Sequence, residues 1–552
     1  MTAENYMAND DQYHGKCVSL NVSDFSNSSE KSAPKVELKF PDEKLEQANE
    51  KIVIKEPLLK CRYLVTLMVF LINFQINCYR LNTSISIVAM VNNTAISTSD
   101  AANISSLSCP SNVQEVEMNS RHQVEGEFDW SPQIQGYILG SSFLGYVITQ
   151  MPGGMMAEKI SAKITIITGV LISSLCHLIS PFASWSSSNF IIAVQFTRGV
   201  GQGFIPAASC VLAANWLPIK ERGLLNTVMM SGFCAGALLG GIATGALCSS
   251  SLFGGWPSVY YIFGALGIIF SIFLHMFLFE SPKTHPRITE SELKYILLNQ
   301  ELNLSGKRPP IPWRKLFTSV PFYALTIAMT GQFWASTHFV TVHPTFLGTI
   351  LRYPIQENGL FASVPFVLQT FLALLVSWIS GWLNKHKYAG VDKVRKGCNF
   401  LFCVGYSLCL LGIYAAGCDK STSAPFSILA MGSVGLSFAG CMIAAIDMSP
   451  TFAGTIMGVS SIISSLSGFI MPILVGVLTN DEQTLEQWNK VFFISIGVTM
   501  TSGIIFSLFG SAEVQDWNFP VLKEFEKGDE KNNKEKMTSG NSSDFKKSTT
   551  HL

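Results

Sequence analysis

The sequence predicts an all-α membrane protein: twelve transmembrane helices in two six-helix bundles. Three observations carry this. Charged residues are 14% of the 552 and hydrophobic ones 48%, with a mean hydropathy of +0.32, whereas an ordinary soluble domain is about 25% charged. Apolar runs of about 20 residues, long enough to cross a bilayer as a helix, recur along the chain. A polar stretch, 280–317, divides them six and six.

The chain starts with a polar, Ser/Asn-rich tail, 1–61, which has no cleavable leader character, so the first apolar run is a true span. The first bundle, 62–279, holds runs near Tyr63–Val91, Gln133–Met156, Ile164–Ser180, Phe190–Ala214, Leu225–Cys248 and Val259–Phe279. In the central segment Thr289 stands three residues before Glu292, the capping-box spacing. Leu293, Ile296 and Leu297 follow as one apolar stripe, so a short amphipathic helix is expected there, lying against the membrane face. The second bundle, 318–511, holds Phe322–Leu347, Leu360–Leu383, Cys398–Gly417, Phe426–Ile446, Ile456–Leu478 and Val491–Phe509, and a polar tail, 512–552, ends the chain.

Basic residues set the orientation. Lys159 and Lys163 follow the second span, Lys220 and Arg222 the fourth, and Lys385, Lys387, Lys393, Arg395 and Lys396 the eighth. Both termini and the central segment are therefore expected in the cytoplasm. The segment 92–129 then faces outside or a lumen, where its sequons at Asn92 and Asn103 are candidate glycosylation sites. A disulfide among Cys109, Cys248 and Cys418, which share that side, is left open. The 13 cysteines show no metal-type spacing, and 38 basic against 38 acidic residues give no case for a nucleic-acid partner. No nucleophile–base pair appears, so no enzyme, cofactor or metal is expected.

Arg80 lies inside the first apolar run. A guanidinium stays charged, and its burial in a bilayer is tolerated where it faces a polar cavity, pairs with an acid or holds an anion. Asn73, Asn77, Arg80 and Ser84 share one helix face, as do Gln195, Arg198 and Gln202 in the fourth span. Two such faces turned inward make a positive cavity, and arginine's planar fork suits a carboxylate or phosphate. The competing reading makes each arginine a structural partner of an acid or of backbone carbonyls. Acids within the spans are nearly absent, Asp447 being the nearest candidate and reading as a helix-end residue. Trp334, His338, Thr341 and Thr345 are candidates to line the cavity from the seventh span. A lone membrane histidine is more often a hydrogen-bonded core residue. Gly199, Gly201 and Gly203, and Ser461, Ser465 and Gly468 in the eleventh span, read equally as close-packing positions.

After the second span, Gly154-x-x-Ala157-Glu158-Lys159-x-x-x-Lys163 resembles the signature loop of the major facilitator superfamily, in which the glycine lets two helices approach and the charged cluster latches the halves. The equivalent place after the eighth span begins at Gly381 but has Lys385 where that superfamily often has an acid. Further segments resemble solute carrier family seventeen. They are Phe128-Asp129-Trp130-Ser131-Pro132, Gly145 to Gly154, Trp216-Leu217-Pro218-Ile219-Lys220-Glu221-Arg222, Gln356-Glu357-Asn358-Gly359, Ile446-Asp447-Met448-Ser449-Pro450 and Ala512 to Trp517. This is the family of sialin, the vesicular glutamate transporters and the sodium-dependent phosphate cotransporters.

The resemblance implies a secondary active anion transporter working by alternating access, and Arg80 matches the family's anion-contacting arginine. Gln195 stands where members often carry an arginine, with Arg198 one turn on. Gln202 stands where proton-linked members carry glutamate. Leu139 replaces a membrane histidine and Ala444 an asparagine. The candidate substrate residues are therefore Arg80, Arg198, Asn77, Gln195, Gln202, His338 and Thr341, and the latch candidates Gly154, Glu158, Lys159 and Lys163. The expected cargo is phosphate, sialate, glutamate or urate, coupled to Na+ or H+ or driven by potential, with the plasma membrane favoured over lysosomal or vesicular membranes. A proton-coupled, sialin-like organic anion transporter and a non-transporting sensor or scaffold are the alternatives. The ending Thr550-His551-Leu552 fits capture by a PDZ domain.

Overall fold

The computed structural model describes residues 60–92, 126–299, 311–386, 388–449, 452–480 and 482–518. Among these the architecture is helical, and twelve rods cross it. Nine stretches qualify as membrane spans by length and composition. One of them, Pro132–Ser186, is two rods, because a π turn at Ala157–Ser161 joins the second, Pro132–Met156, to the third, Ala162–Ser186. Of the latch residues, Glu158 and Lys159 lie in this turn, Gly154 in the rod before it and Lys163 in the rod after it.

Two further rods are interrupted. The fourth runs as Ser188–Gly203 and Ile205–Trp216, broken just before Pro206, which has no N–H to give the ladder. The seventh runs as Val320–Thr337 and His343–Thr349 around a π turn, His338–Val342, just before Pro344. The remaining rods are Cys61–Met90, Ile219–Ser249 and Trp256–Phe277 in the first half, and Ile355–Ser363 with Pro365–Lys385, Val391–Ala416, Lys420–Val434 with Cys441–Met448, Ala453–Leu478 and Leu485–Phe509 in the second. Several rods begin on a side-chain cap: Ser131, Ser161, Ser187 and Thr484 each accept an N–H of the first turn. Lys393, Arg395 and Lys396, expected in a loop, lie in the first turns of the ninth rod.

The end of the molecule where the first rod begins and the twelfth finishes is called the tail end here, and the opposite end the loop end. The halves meet at the loop end. A methyl group on Gly136 of the second rod would stand 2.5 Å from the Pro472 carbonyl oxygen of the eleventh, and one on Gly476 would stand 2.6 Å from that of Pro132. The fifth and eighth rods approach likewise, with 2.6 Å between a methyl on Gly359 and the Gly241 carbonyl. Only small residues allow backbones so close. An apolar core crosses the halves here, joining Leu81, Ile85 and Ala237 to Phe339, Phe346 and Met471. Toward the tail end each half has its own core: Val65, Leu212, Trp216 and Leu278 in the first, Phe322, Met448 and Phe506 in the second.

The expected central helix forms at Glu290–Leu298, with the Thr289 hydroxyl accepting the Glu292 N–H at 3.4 Å. The Glu292 carboxylate does not fold back. It accepts the backbone N–H groups of Cys61 at 3.0 Å and Arg62 at 3.2 Å, capping the first rod. Ile296 is buried in the tail-end core of the first half, so the stripe lies on protein. Cys418 is disulfide-bonded, Cys248 is a free buried thiol, and Cys109 lies outside the described residues.

Candidate functional site

Close packing of the second and fourth rods builds the site. A side chain on Gly199 or Gly203 would run into the carbonyl oxygens of Ser142 and Tyr146, while one on Gly201 would meet Gly169 of the third rod. This approach brings Gln202 and Tyr146 to Arg80 of the first rod. Arg80 Nε donates to Gln202 Oε1 at 3.3 Å, and its guanidinium carbon lies 4.8 Å from the Tyr146 ring centroid and 5.0 Å from that of Phe143. Aromatic faces attract a cation without neutralising it. Arg80 is half-buried, and no described carboxylate pairs with it. The Gln202 amide Nε2 is buried with no partner.

Arg198 sits differently. It is 2% exposed, and its Nη1 donates to the Tyr79 carbonyl at 3.0 Å and to the Thr83 hydroxyl. It therefore binds the first rod at Tyr79 and Thr83, and Arg80 alone of the two keeps appreciable accessible surface. It too lacks a described carboxylate, so two positive charges lie in the first half without a counter-ion among the described residues. Gln195 is buried against the Ser180 hydroxyl at 3.4 Å.

The other candidates fall on helix contacts. Asn77 Nδ2 donates to the Phe233 carbonyl at 2.6 Å and Asn73 Nδ2 to that of Met229 at 2.8 Å, tying the first rod to the fifth. Ser84 donates its hydroxyl to the Thr341 carbonyl at 2.6 Å, crossing between the halves at the π turn. His338 is buried, with Nδ1 3.0 Å from the Tyr406 hydroxyl, and Trp334 Nε1 donates to Ser495 at 3.1 Å. Gln150 Nε2 meets Ser465 Oγ at 3.5 Å across the halves, and Gly468 packs on the Phe143 ring.

In the latch segment, Gly154 faces Ala207, Glu158 and Lys159 are exposed, and Lys163 Nζ lies 5.0 Å from the Phe279 ring centroid. Of the sequon asparagines, Asn92 is half-buried at the end of the first rod, with its N–H on the Phe128 carbonyl, and Asn103 lies outside the described residues, as do Thr550, His551 and Leu552.

Several charged contacts were not foreseen from sequence. Glu280, after the sixth rod, accepts the Ser161 hydroxyl at 2.6 Å and the N–H groups of Ala162 and Lys163 at 3.0 and 2.9 Å, stapling the third rod to the sixth. Arg62 contacts Glu221 at 2.9 Å and Glu292 at 3.4 Å, and the Tyr295 hydroxyl donates to Glu221 at 2.9 Å. Arg395 pairs with Asp447 at 2.8 Å and donates to Ser380 and the Ala439 carbonyl, so the acid singled out from sequence is already bound. Phe143 and Tyr146, three apart on one face, were the available signal for the flanks of Arg80.

The family model for the Major Facilitator Superfamily matches residues 85–472. The chain belongs to this superfamily. It is 33% identical to a putative inorganic phosphate cotransporter of Drosophila ananassae over 80% of this chain and 91% of that protein. It is 30% identical to the sodium-dependent phosphate transport protein 1 of Mus musculus over 83% and 95%, and 28% identical to the sialin of Homo sapiens over 83% and 90%. These relatives place it in solute carrier family seventeen. Solved structures agree on the fold. A bacterial homolog of the human lysosomal transporter Spinster, inward-facing and occupied, matches with a TM-score of 0.58 at 14% identity, over 81% of this chain and 96% of that one. A D-xylose–proton symporter matches with 0.58 at 12%, over 82% and 99%. The chain is thus a multi-pass membrane protein of a transporter superfamily.

Proposed function

We propose that this protein moves small anions across a membrane by alternating access, with Arg80 as the group that receives the negative charge. One observation carries the reading: a partly accessible guanidinium inside a span, steadied by Gln202 and two aromatic faces, with no carboxylate paired to it among the described residues. A charge so placed is completed by an anionic ligand more readily than by a neutral one. The names of the relatives, phosphate cotransporters and sialin among them, point the same way. Arg198, held on backbone, supports the first rod and adds to the positive potential.

Inorganic phosphate and small organic anions are the cargo class. Na+, H+ or the membrane potential is the driving force; Gln202 cannot carry a proton as a carboxylate there would, which removes one proton site and adds weight to Na+ or potential. Basic residues favour cytoplasmic termini, which makes a structure closed at the loop end an inward-facing one. The plasma membrane, glycans on Asn92 and Asn103, and a PDZ partner at Thr550, His551 and Leu552 complete the reading.

Uptake of labelled phosphate, sialate, glutamate and urate into liposomes holding the purified protein, under imposed Na+, pH and voltage gradients, is the test. Arg80→Ala is expected to cut uptake about 10- to 100-fold, the worth of a charge-assisted hydrogen bond, with the protein still folded. Arg80→Lys should also be poor, because the flat fork is lost. Normal uptake by Arg80→Ala would remove Arg80 from the site.

A further inference from the structure

The seventh rod holds two histidines that the anion site leaves unused. A π turn bonds a backbone N–H to the carbonyl five residues back, and here the His343 N–H meets the His338 carbonyl. The turn sets the two side chains side by side, with ring centroids 6.2 Å apart and the ring planes tilted by 59°. Both residues are buried. Of four ring nitrogens one has a partner, His338 Nδ1 beside the Tyr406 hydroxyl; His338 Nε2 and both nitrogens of His343 have none. Buried polar atoms left without partners are rare and call for a reason.

The surroundings are uncharged. Phe492 of the twelfth rod stacks on His338 at 5.9 Å, and Phe339 and Phe346 flank His343. Asn358 of the eighth rod donates to the Pro344 carbonyl, and Ser84 of the first rod reaches Thr341 within the turn. Among the described residues the titratable groups facing the pair are the two rings themselves and Tyr406; no carboxylate, lysine or arginine of a packed element acts on them. A cavity of about 20 Å³, room for roughly one water, lies by the turn at the loop end, lined by Gln135, Thr345, Gln483 and Trp488 among others. The indole N–H of Trp488 is itself without a partner.

We propose that His338 and His343 form a proton-binding pair, loaded from the loop end, and that H+ is the cation carried with the anion. This rests on the anion-transport reading and names its coupling ion. One imidazole takes a proton on a free ring nitrogen, and repulsion between like charges on rings 6.2 Å apart keeps the other neutral, so the pair holds one proton. The proton leaves by the same atoms, so only N–H bonds form and break. The π turn is also where Ser84 of the first half hydrogen-bonds the second. A charge gained within it therefore acts on the seam that must part when the loop end opens.

The test uses the full chain in liposomes with labelled phosphate, or whichever of the four anions is exchanged. Exchange at equal pH on both sides reports anion movement alone. Uphill uptake driven by a pH gradient reports coupling, and one pH unit is worth about ten-fold accumulation per proton. Wild type should do both, while His343→Gln should keep exchange and lose the pH-driven accumulation. Intact pH-driven accumulation in His343→Gln, or wild-type accumulation under a Na+ gradient alone, overturns the pair and leaves the anion reading standing. No exchange of any of the four anions by folded wild type overturns that reading and the pair with it. If His343→Gln melts or loses exchange, Tyr406→Phe carries the test, because it removes one hydroxyl from His338 and keeps the ring. A shifted pH midpoint of uptake is expected, and an unchanged one overturns the pair.

Discussion

The two ends of the molecule are held together by different chemistry. At the loop end the halves touch through backbone and small residues: Gly136 and Gly476 on the second and eleventh rods, Gly241 and Gly359 on the fifth and eighth, and the Ser84–Thr341 hydrogen bond. At the tail end the strong contacts are ionic, and each described ion pair lies within one half: Arg62 with Glu221 and Glu292, Arg395 with Asp447. Gly381, Gly454 and Gly458, toward the tail end of the eighth and eleventh rods, have open space beside them. Charges therefore brace each bundle internally, while the faces that must separate meet through contacts that are weak one by one. A rocking motion parts the seam without breaking an ion pair.

The sharpest way to break this contrast is to wedge the seam. Gly359→Leu places a side chain against the Gly241 carbonyl and the Gly245 backbone, which cannot yield as a side chain can. Overpacking of this kind costs about 1–3 kcal/mol, here charged to the loop-closed state. Transport should fall more than any tail-end change makes it fall. A cysteine introduced by Thr345→Cys should become more reactive to an impermeant maleimide from the loop side; unchanged labelling would mean that the seam does not govern closure.

A smaller effect is expected from the ionic brace. Arg395→Ala strips Asp447 of its partner and abandons the Ser380 and Ala439 contacts. Asp447 keeps some contact with water, so the loss should be about 2 kcal/mol, below that of a fully buried pair. Thermal unfolding should show it, and Asp447→Asn added to Arg395→Ala should recover part. No recovery would put the value of Arg395 in its neutral contacts.

The smallest effect is on pH. Glu221 lies just before the membrane-spanning part of the fifth rod. Burial works against its carboxylate, but the hydrogen bonds from Arg62 and Tyr295 outweigh it and hold the group below its ordinary value. A carboxylate lowered on folding contributes stability above its unfolded value, about 4.3, and loses it as pH falls through the folded value. The central helix, 290–298, should keep its amide-exchange protection to about pH 4. Loss of protection near pH 6 would count against the Glu221 contacts.

Much of this was legible in the chain. Twelve apolar runs, the polar divider, the Thr289 cap and the helix faces that carry Arg80 and Gln202 follow from composition and helical spacing. The neighbours of those residues did not follow. Helical spacing says that Asn73 and Asn77 share a face, but not that the face meets the carbonyls of Met229 and Phe233. Glu292 has the right spacing for a reciprocal box, yet its carboxylate finds two better donors 230 residues away at the start of the first rod. Phe143 and Tyr146 escape notice because an aromatic side chain in an apolar run looks like any other part of it. Such partners are set by long-range packing, which periodicity does not encode.

The docking of the central helix has one more consequence. Through Glu292 and Tyr295 it is bonded to the first and fifth rods, so it belongs to the first bundle although it lies on the way to the second. A polypeptide severed just downstream, within 300–310, would give two fragments that each retain their described ion pairs. Co-expressed from separate messages, the fragments should reassemble into a working carrier, with the glycine-lined faces serving as the docking surface.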